Sequence, residues 1–268
     1  MKLACVNYMV PGRTLTEKAL KMKKWGFDGI SIFAKPEEWS EDYHAEIKLL
    51  PERTGIAPCE FVLLDPLYGR LMDRDHEVRQ KAIEVYKKSI RIAGTFNAVS
   101  EMEYEYRAQD PLPLFDPYPA MPEDKKKEFL PIMQTLAQTA GENGALILLE
   151  PCNRYETKYL TRLQDIVPLL KTLSHPSLGI LADFFHLAME EADIPGALRQ
   201  AGQWIRHIHL GDNNRLLPGC GHTDFKSAFR VLKDTGFQGY MSLECGLTGD
   251  PEKVLPQCVE FLRKQMQA

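Results

Sequence analysis

Eight times along the chain a short run of β-branched and apolar residues gives way to a longer segment of helical period, and the alternation never breaks into a block of one kind. Runs at 3–7, 29–33, 56–64, 97–101, 145–150, 178–183, 205–210 and 240–244 read as strands, each short and bounded by turn residues. Segments at 14–25, 39–54, 75–92, 123–141, 161–173, 195–203, 224–235 and 251–266 read as helices. Strands separated by helices lie parallel, because a parallel pair needs a long crossover where an antiparallel pair needs only a hairpin. Runs such as ALILLE and LGILAD show no polar alternation, which suits strands covered on both faces. Eight strand-helix units in 268 residues match the size of one α/β fold, a single (β/α)8 TIM barrel spanning 1–268. The rival, an open doubly wound sheet, normally carries a glycine-rich phosphate turn after its first strand, and residues 7–14 hold only Gly12.

Composition narrows the function. Lys plus Arg at 33 against Asp plus Glu at 37 gives a net charge of −4, so no global positive field exists to hold nucleic-acid phosphates. Six cysteines at 5, 59, 152, 220, 245 and 258 form no C-x-x-C pair, and reduced thiols in a cytoplasmic protein are expected. The start MKLACVNYMVPG reaches Pro11 and Gly12 too early for a signal or transit peptide, and no apolar run approaches the ~20 residues that span a bilayer. The expectation is a soluble protein with neither a membrane nor a nucleic-acid partner.

Chemistry collects at the ends of four successive strands. The fifth ends in Glu150, the sixth in Asp183, the seventh reaches His209 and the eighth ends in Glu244. In a barrel these ends converge on one side of the mouth, where three carboxylates and one imidazole suit Mn²⁺, Mg²⁺ or Co²⁺ better than a closed structural zinc. One acidic strand end alone is commonly a helix cap or a surface charge; four in succession are harder to dismiss. Glu156, His186 and Arg215 follow in the loops after the first three of these strands, placed to surround an ion without ligating it. Arg215 has a second reading as a partner of Asp212, and His186 as the start of a helix. His207 precedes His209 with the strand period of two, so both point to one face, His207 as a fifth ligand or as a packed, hydrogen-bonded neighbour.

Residues 102–122 are too long for an ordinary connection and hold Pro111, Pro113, Pro117, Pro119 and Pro122 with Tyr104, Tyr106, Phe115 and Tyr118. Such a loop either covers the active mouth or is a rigid proline-rich surface connection.

EPCNRYET at 150–157, ILADFFHLAMEE at 180–191, HIHLGDNNR at 207–215, PGCGH at 218–222 and SLEC at 242–245 together resemble the ketose 3-epimerases of the xylose-isomerase-like barrel superfamily. That group includes D-tagatose, D-psicose and L-ribulose 3-epimerases and 5-keto-L-gluconate epimerase, the last nearest in its NRYET and PGCGH versions. The resemblance is dense in the second half and rests on element order in the first. It implies that Glu150, Asp183, His209 and Glu244 ligate one divalent ion, most often Mn²⁺, that Glu156, His186 and Arg215 contact a sugar substrate, and that Glu150 and Glu244 form the catalytic acid-base pair. It also implies a homodimer or homotetramer, for which Trp204 and the Leu/Val face of the last helix offer contacts. His222 and the region 102–122 depart from the relatives' pattern, and Tyr8 or Asn7 stands where several relatives carry an aromatic beside the substrate.

The implied reaction fits these residue types. Epimerising the carbon next to a ketone removes a weakly acidic proton from one face and returns one to the other, which two glutamates from separate strands can do. A metal-stabilised enediolate at carbon 3 of a free ketose or keto-sugar acid is the expected course. An aldose-ketose or hydroxypyruvate isomerase, or a lyase or dehydratase, starts with the same proton abstraction. A metal-dependent endonuclease wants a richer His/Asp/Glu set and a positive face, and a sugar-binding protein has no use for four converging ligands. No phosphate-cradling glycine loop is present, which favours an unphosphorylated substrate. Cys152, Cys220 and Cys245 flank the motifs and read as small packing residues open to oxidation.

Overall fold

The structure, a computed structural model, describes residues 1–115 and 119–267; Pro117 and Tyr118 of the proline-rich connection lie outside the described residues. Eight parallel strands close into a barrel in chain order: β1 Lys2–Val6, β2 Gly29–Ala34, β3 Ala57–Leu63, β4 Val99–Met102, β5 Leu146–Leu149, β6 Leu178–Asp183, β7 Ile205–Leu210 and β8 Tyr240–Leu243. The last strand pairs with the first through Lys2 opposite Tyr240 and Leu3 opposite Met241, so no edge is left to template pairing with another chain. Helices α1 Leu15–Trp25, α2 Glu41–Thr54, α3 His76–Gly94, α4 Glu123–Glu142, α5 Leu163–Leu173, α6 Phe184–Glu190, α7 Ile194–Ala201, α8 Phe225–Asp234 and α9 Pro251–Gln267 supply the crossovers.

The helices start where side chains satisfy orphan N–H groups. Thr14 Oγ1 accepts from the Glu17 N–H at 3.1 Å, and Asp224 Oδ1 from the Ser227 N–H at 3.0 Å. Leu and Ile of the strands and the inward helix faces form one continuous buried cluster. β2 and β6 are buried at every residue, as their unalternating sequences require.

Three sequence expectations need correction. The chain carries a ninth helix, α6, directly after β6, because Asp183 caps it; seven residues are too few to show a helical period. Glu150 and Glu244 lie one residue past the ends of β5 and β8 rather than within them. The Leu/Val face of the last helix is occupied: Leu255, Val259 and Leu262 are buried in this chain's own core and do not offer a subunit contact.

Candidate active site

Among the described residues the barrel mouth gathers the four predicted ligands. His209 Nδ1 lies 3.5 Å from Glu150 Oε1 and 3.4 Å from Glu244 Oε2, and donor atoms of Asp183, His209 and Glu244 all fall within 4.8 Å of one another. Glu150 Oε1, Asp183 Oδ2 and His209 Nδ1 are buried without a hydrogen-bond partner. Buried polar atoms are nearly always satisfied, so unpaired ligating atoms on Glu150, Asp183 and His209, with His209 common to the groups they form, fit a divalent cation. Burial first, and then the neighbouring carboxylates, push Glu150 up to about 8 and Asp183 up to about 7 when no cation is bound.

Each ligand is held by its element. Asp183 divides its carboxylate: Oδ1 accepts the Phe185 N–H at 2.7 Å and caps α6, while Oδ2 faces the site. Phe184, the first residue of α6, is buried and stacks on Phe225 with centroids 5.5 Å apart, which fixes the helix that carries His186. His209 is oriented from behind. Its Nε2 faces both oxygens of Glu60 at 3.1 and 3.0 Å, so an Nε2–H donated to Glu60 leaves the Nδ1 lone pair for an ion. Burial opposes charge on Glu60, but His209 and His207 outweigh it and hold its pKa well below the usual carboxylate range.

The three predicted substrate contacts form a second group. Arg215 Nη1 donates to Glu156 Oε1 at 2.9 Å, and its guanidinium lies 4.6 Å over the Phe185 ring. Glu156, not Asp212, is therefore the partner of Arg215. Asp212 instead organises the loop, its carboxylate accepting N–H groups from Asn213, Gly219, Gly221 and Thr223 at 2.9 to 3.0 Å. A Cβ at Gly221 sits 2.1 Å from Asn213 Oδ1, so this turn of PGCGH admits only glycine. The loop delivers Arg215 with φ 58°, a left-handed conformation costly for a long side chain and common at functional positions. His186 accepts at Nδ1 from the Asn153 N–H at 3.2 Å and from its side-chain amide at 2.8 Å. That fixes the proton on Nε2, which lies 3.7 Å from Asp183 Oδ2. Burial, then Arg215 and His209, push this imidazole down to about 3, so it is neutral.

These residues border a cavity of about 170 Å³, below the ~300–1,000 Å³ of pockets for drug-sized ligands. It suits one small polar molecule. Glu150, Glu244, His186 and Arg215 line it together with Tyr8, Phe33, Leu64, Tyr68, Glu101, Glu103 and Tyr106. Of the amino-terminal pair, Tyr8 faces the cavity, whereas the Asn7 amide is spent on the backbone of Phe33 at 3.1 and 2.9 Å. His207 Nε2 lies 3.5 Å from Glu60 Oε2, and Glu60, His207 and His209 bring their ligating atoms within 4.8 Å of one another. His222 is exposed. Cys152 is buried beside Glu150 and its thiol is pushed well above the ordinary range by burial and that carboxylate, which agrees with a packing role. The start of the long connection docks on its neighbours, with the Tyr106 N–H donating to Gly69 O at 3.2 Å and the Arg107 N–H to Glu156 O at 2.9 Å.

Sequence reasoning missed Glu60, Glu101 and Glu103. The signal for Glu60 was present: a glutamate inside the apolar run IAPCEFVLL is buried with it, and a buried carboxylate needs partners or a task.

Residues 20–265 match the family described as the xylose isomerase-like TIM barrel. The chain belongs to that family. It is 26% identical over 270 residues to a 3-dehydro-D-guloside 4-epimerase of Escherichia coli, covering 98% of this chain and 99% of that protein. A D-psicose 3-epimerase of Ruminiclostridium cellulolyticum is 26% identical over 235 residues, 84% of this chain and 75% of the relative. In structure, a 3-keto-D-glucoside 4-epimerase of E. coli superposes with a TM-score of 0.85 at 24% identity over 98% of this chain and 99% of its own. An L-ribulose 3-epimerase reaches 0.85 at 18% identity over 99% and 94%. These two structural likenesses carry the fold; the sequence relatives make this family member an enzyme of the epimerase/isomerase class. No helix among the described residues is long and apolar enough to cross a membrane.

Proposed function

We propose that the protein is a divalent-metal-dependent epimerase of a free keto sugar or keto-sugar acid, inverting the carbon next to the carbonyl, carbon 3 of a 2-ketose. The observation that carries this reading is the pair Glu150 and Glu244, which flank His209 Nδ1 at 3.5 and 3.4 Å from the ends of β5 and β8, with β6 and β7 between them. A 3-epimerase of a 2-ketose and a 4-epimerase of a 3-dehydro sugar, the activities named for the relatives, share this chemistry: both invert the carbon adjacent to a carbonyl.

Glu150, Asp183, His209 and Glu244 are the residues to hold the ion, an oxygen-rich set that favours Mn²⁺, with Mg²⁺ or Co²⁺ as substitutes. When bound, the ion supplies Lewis-acid stabilisation of the negative charge that develops on the carbonyl oxygen. One glutamate takes the proton from one face of the carbon, and the other returns a proton to the opposite face; the roles exchange with reaction direction. The neutral His186 offers its Nε2–H to a substrate oxygen, and Arg215 with Glu156 grips neighbouring hydroxyls.

The test is deuterium exchange followed by NMR in heavy water with Mn²⁺ and a panel of free ketohexoses, ketopentoses and keto-gluconates. Label at the carbon adjacent to the carbonyl, with an epimeric product, supports the reading. Interconversion of aldose and ketose makes the protein an isomerase instead, and loss of water makes it a dehydratase.

A further inference from the structure

The cavity also carries two carboxyl groups that the proposed reaction does not use, Glu101 and Glu103. Glu101 on β4 and Glu103, two residues on, point the same way and line the cavity while only 4% and 2% exposed. Both are held by tyrosines. The Tyr68 hydroxyl donates to Glu101 Oε1 at 2.6 Å, and the Tyr86 hydroxyl donates to Glu103 Oε2 at 2.8 Å while accepting the Gly69 N–H at 2.9 Å. The two rings stack 5.1 Å apart, so the carboxyl groups are fixed in place before any substrate arrives. Glu101 Oε2 makes no hydrogen bond and lies 3.9 Å from His209 Nε2, so Glu101 borders the ligand cluster as well as the cavity.

Charge completes the argument. Glu101, Glu103, Glu150 and Glu244 line the cavity, Asp183 stands beside them with His209 and Glu244, and a divalent ion offsets two negative charges. Arg215 is already paired with Glu156, and His186 is neutral through the two donors at its Nδ1. Even with Glu101 and Glu103 both protonated, the balance is not positive. A substrate carboxylate or phosphate finds no free counter-charge here, whereas a hydroxyl finds fixed donors and acceptors.

We infer that Glu103, with Glu101 beside it, is a specificity-determining residue: its carboxyl binds a hydroxyl of the sugar and rejects keto sugars that carry a carboxylate or phosphate. This rests on the epimerase reading and chooses, within it, the uncharged substrate.

The experiment compares a free ketohexose with 5-keto-gluconate and a ketohexose phosphate on the manganese-loaded wild type, Glu103→Gln and Glu101→Gln, by turnover and by calorimetric binding. Wild type should bind the neutral sugar at least about tenfold more tightly than either anion. Glu103→Gln should raise KM for the neutral sugar about tenfold with a smaller change in kcat, and should increase the absolute kcat/KM for the acid. A gain on the acid is a result that damage to the fold does not produce, and Glu101→Gln reads the same ratio should Glu103→Gln not fold. Wild-type preference for an anion, or a ratio unchanged in both variants, overturns the inference. Selective binding without turnover of any sugar overturns the epimerase reading and leaves the specificity assignment standing.

Discussion

The two sides of the barrel mouth were built from the same kinds of residue but differ in how they are put together. On the β5 to β8 side, each functional group sits at or just past a strand end, or in the loop that follows, so neighbours in sequence are neighbours in space. On the β3 to β4 side, Glu60, Tyr68, Tyr86, Glu101 and Glu103 come from mid-strand, loop and mid-helix, and meet only because the barrel closes. Tyr68 reaches Glu101 across 33 residues of chain, and Glu60 reaches His209 across 149. The first side supplies the groups proposed to perform the reaction; the second orients a ligand and shapes the cavity.

The largest expected effects lie on the legible side. Glu150→Gln or Glu244→Gln should lower deuterium exchange by at least about 10³-fold while circular dichroism stays native, because each removes a proposed acid-base group. Full exchange in either variant breaks the two-base scheme. Next comes the test of whether the hidden side reaches the ion: Glu60→Gln should weaken Mn²⁺ binding about 10- to 100-fold by titration, since His209 loses the partner that sets its tautomer. An unchanged affinity makes Glu60 a packing residue and sharpens the contrast. Arg215→Lys should raise substrate KM about tenfold with a smaller loss in kcat, the planar fork to Glu156 and the stack on Phe185 being lost together.

The metal-free protein should show its carboxylate cluster in its pH dependence. Glu150 and Asp183 bind protons more tightly folded, at about 8 and 7, than unfolded, at 4.5 and 3.8. Between those values the folded state holds more protons, so stability is full at low pH and falls as pH rises from about 4 to about 8. Thermal unfolding in chelator should record that decline, and added Mn²⁺ should reverse it at the alkaline end. The smallest effect is expected at Phe115, 96% exposed: Phe115→Ser should shift stability by under about 0.5 kcal/mol.

Much of the fold was legible because strand and helix periods are local. The eight strands were placed within one or two residues, and β6 and β7 at their exact bounds. The sequence reading failed where a period had no room or a residue had no local signature. Helix α6 occupies seven residues immediately after a strand and depends on one cap. Tyr86 fits the buried face of α3 so well that nothing marks its hydroxyl as the partner of Glu103. Glu103 opens the stretch whose prolines draw attention to a loop, and Glu101 closes the predicted fourth strand without a local signature of its task. Glu150, Asp183 and Glu244 drew attention because each closes an apolar run abruptly with a ligand-competent group, and His209 because its strand reaches the same end of the barrel.

Asp183 uses one oxygen to start α6 and aims the other at the ligand cluster, and α6 carries His186 one turn further on. Under the proposed function, loading the ion and setting the imidazole for substrate become a single linked equilibrium. A cation that tightens its grip on Asp183 also steadies the first turn of that helix, and a molecule that engages His186 strengthens cation retention by the same factor.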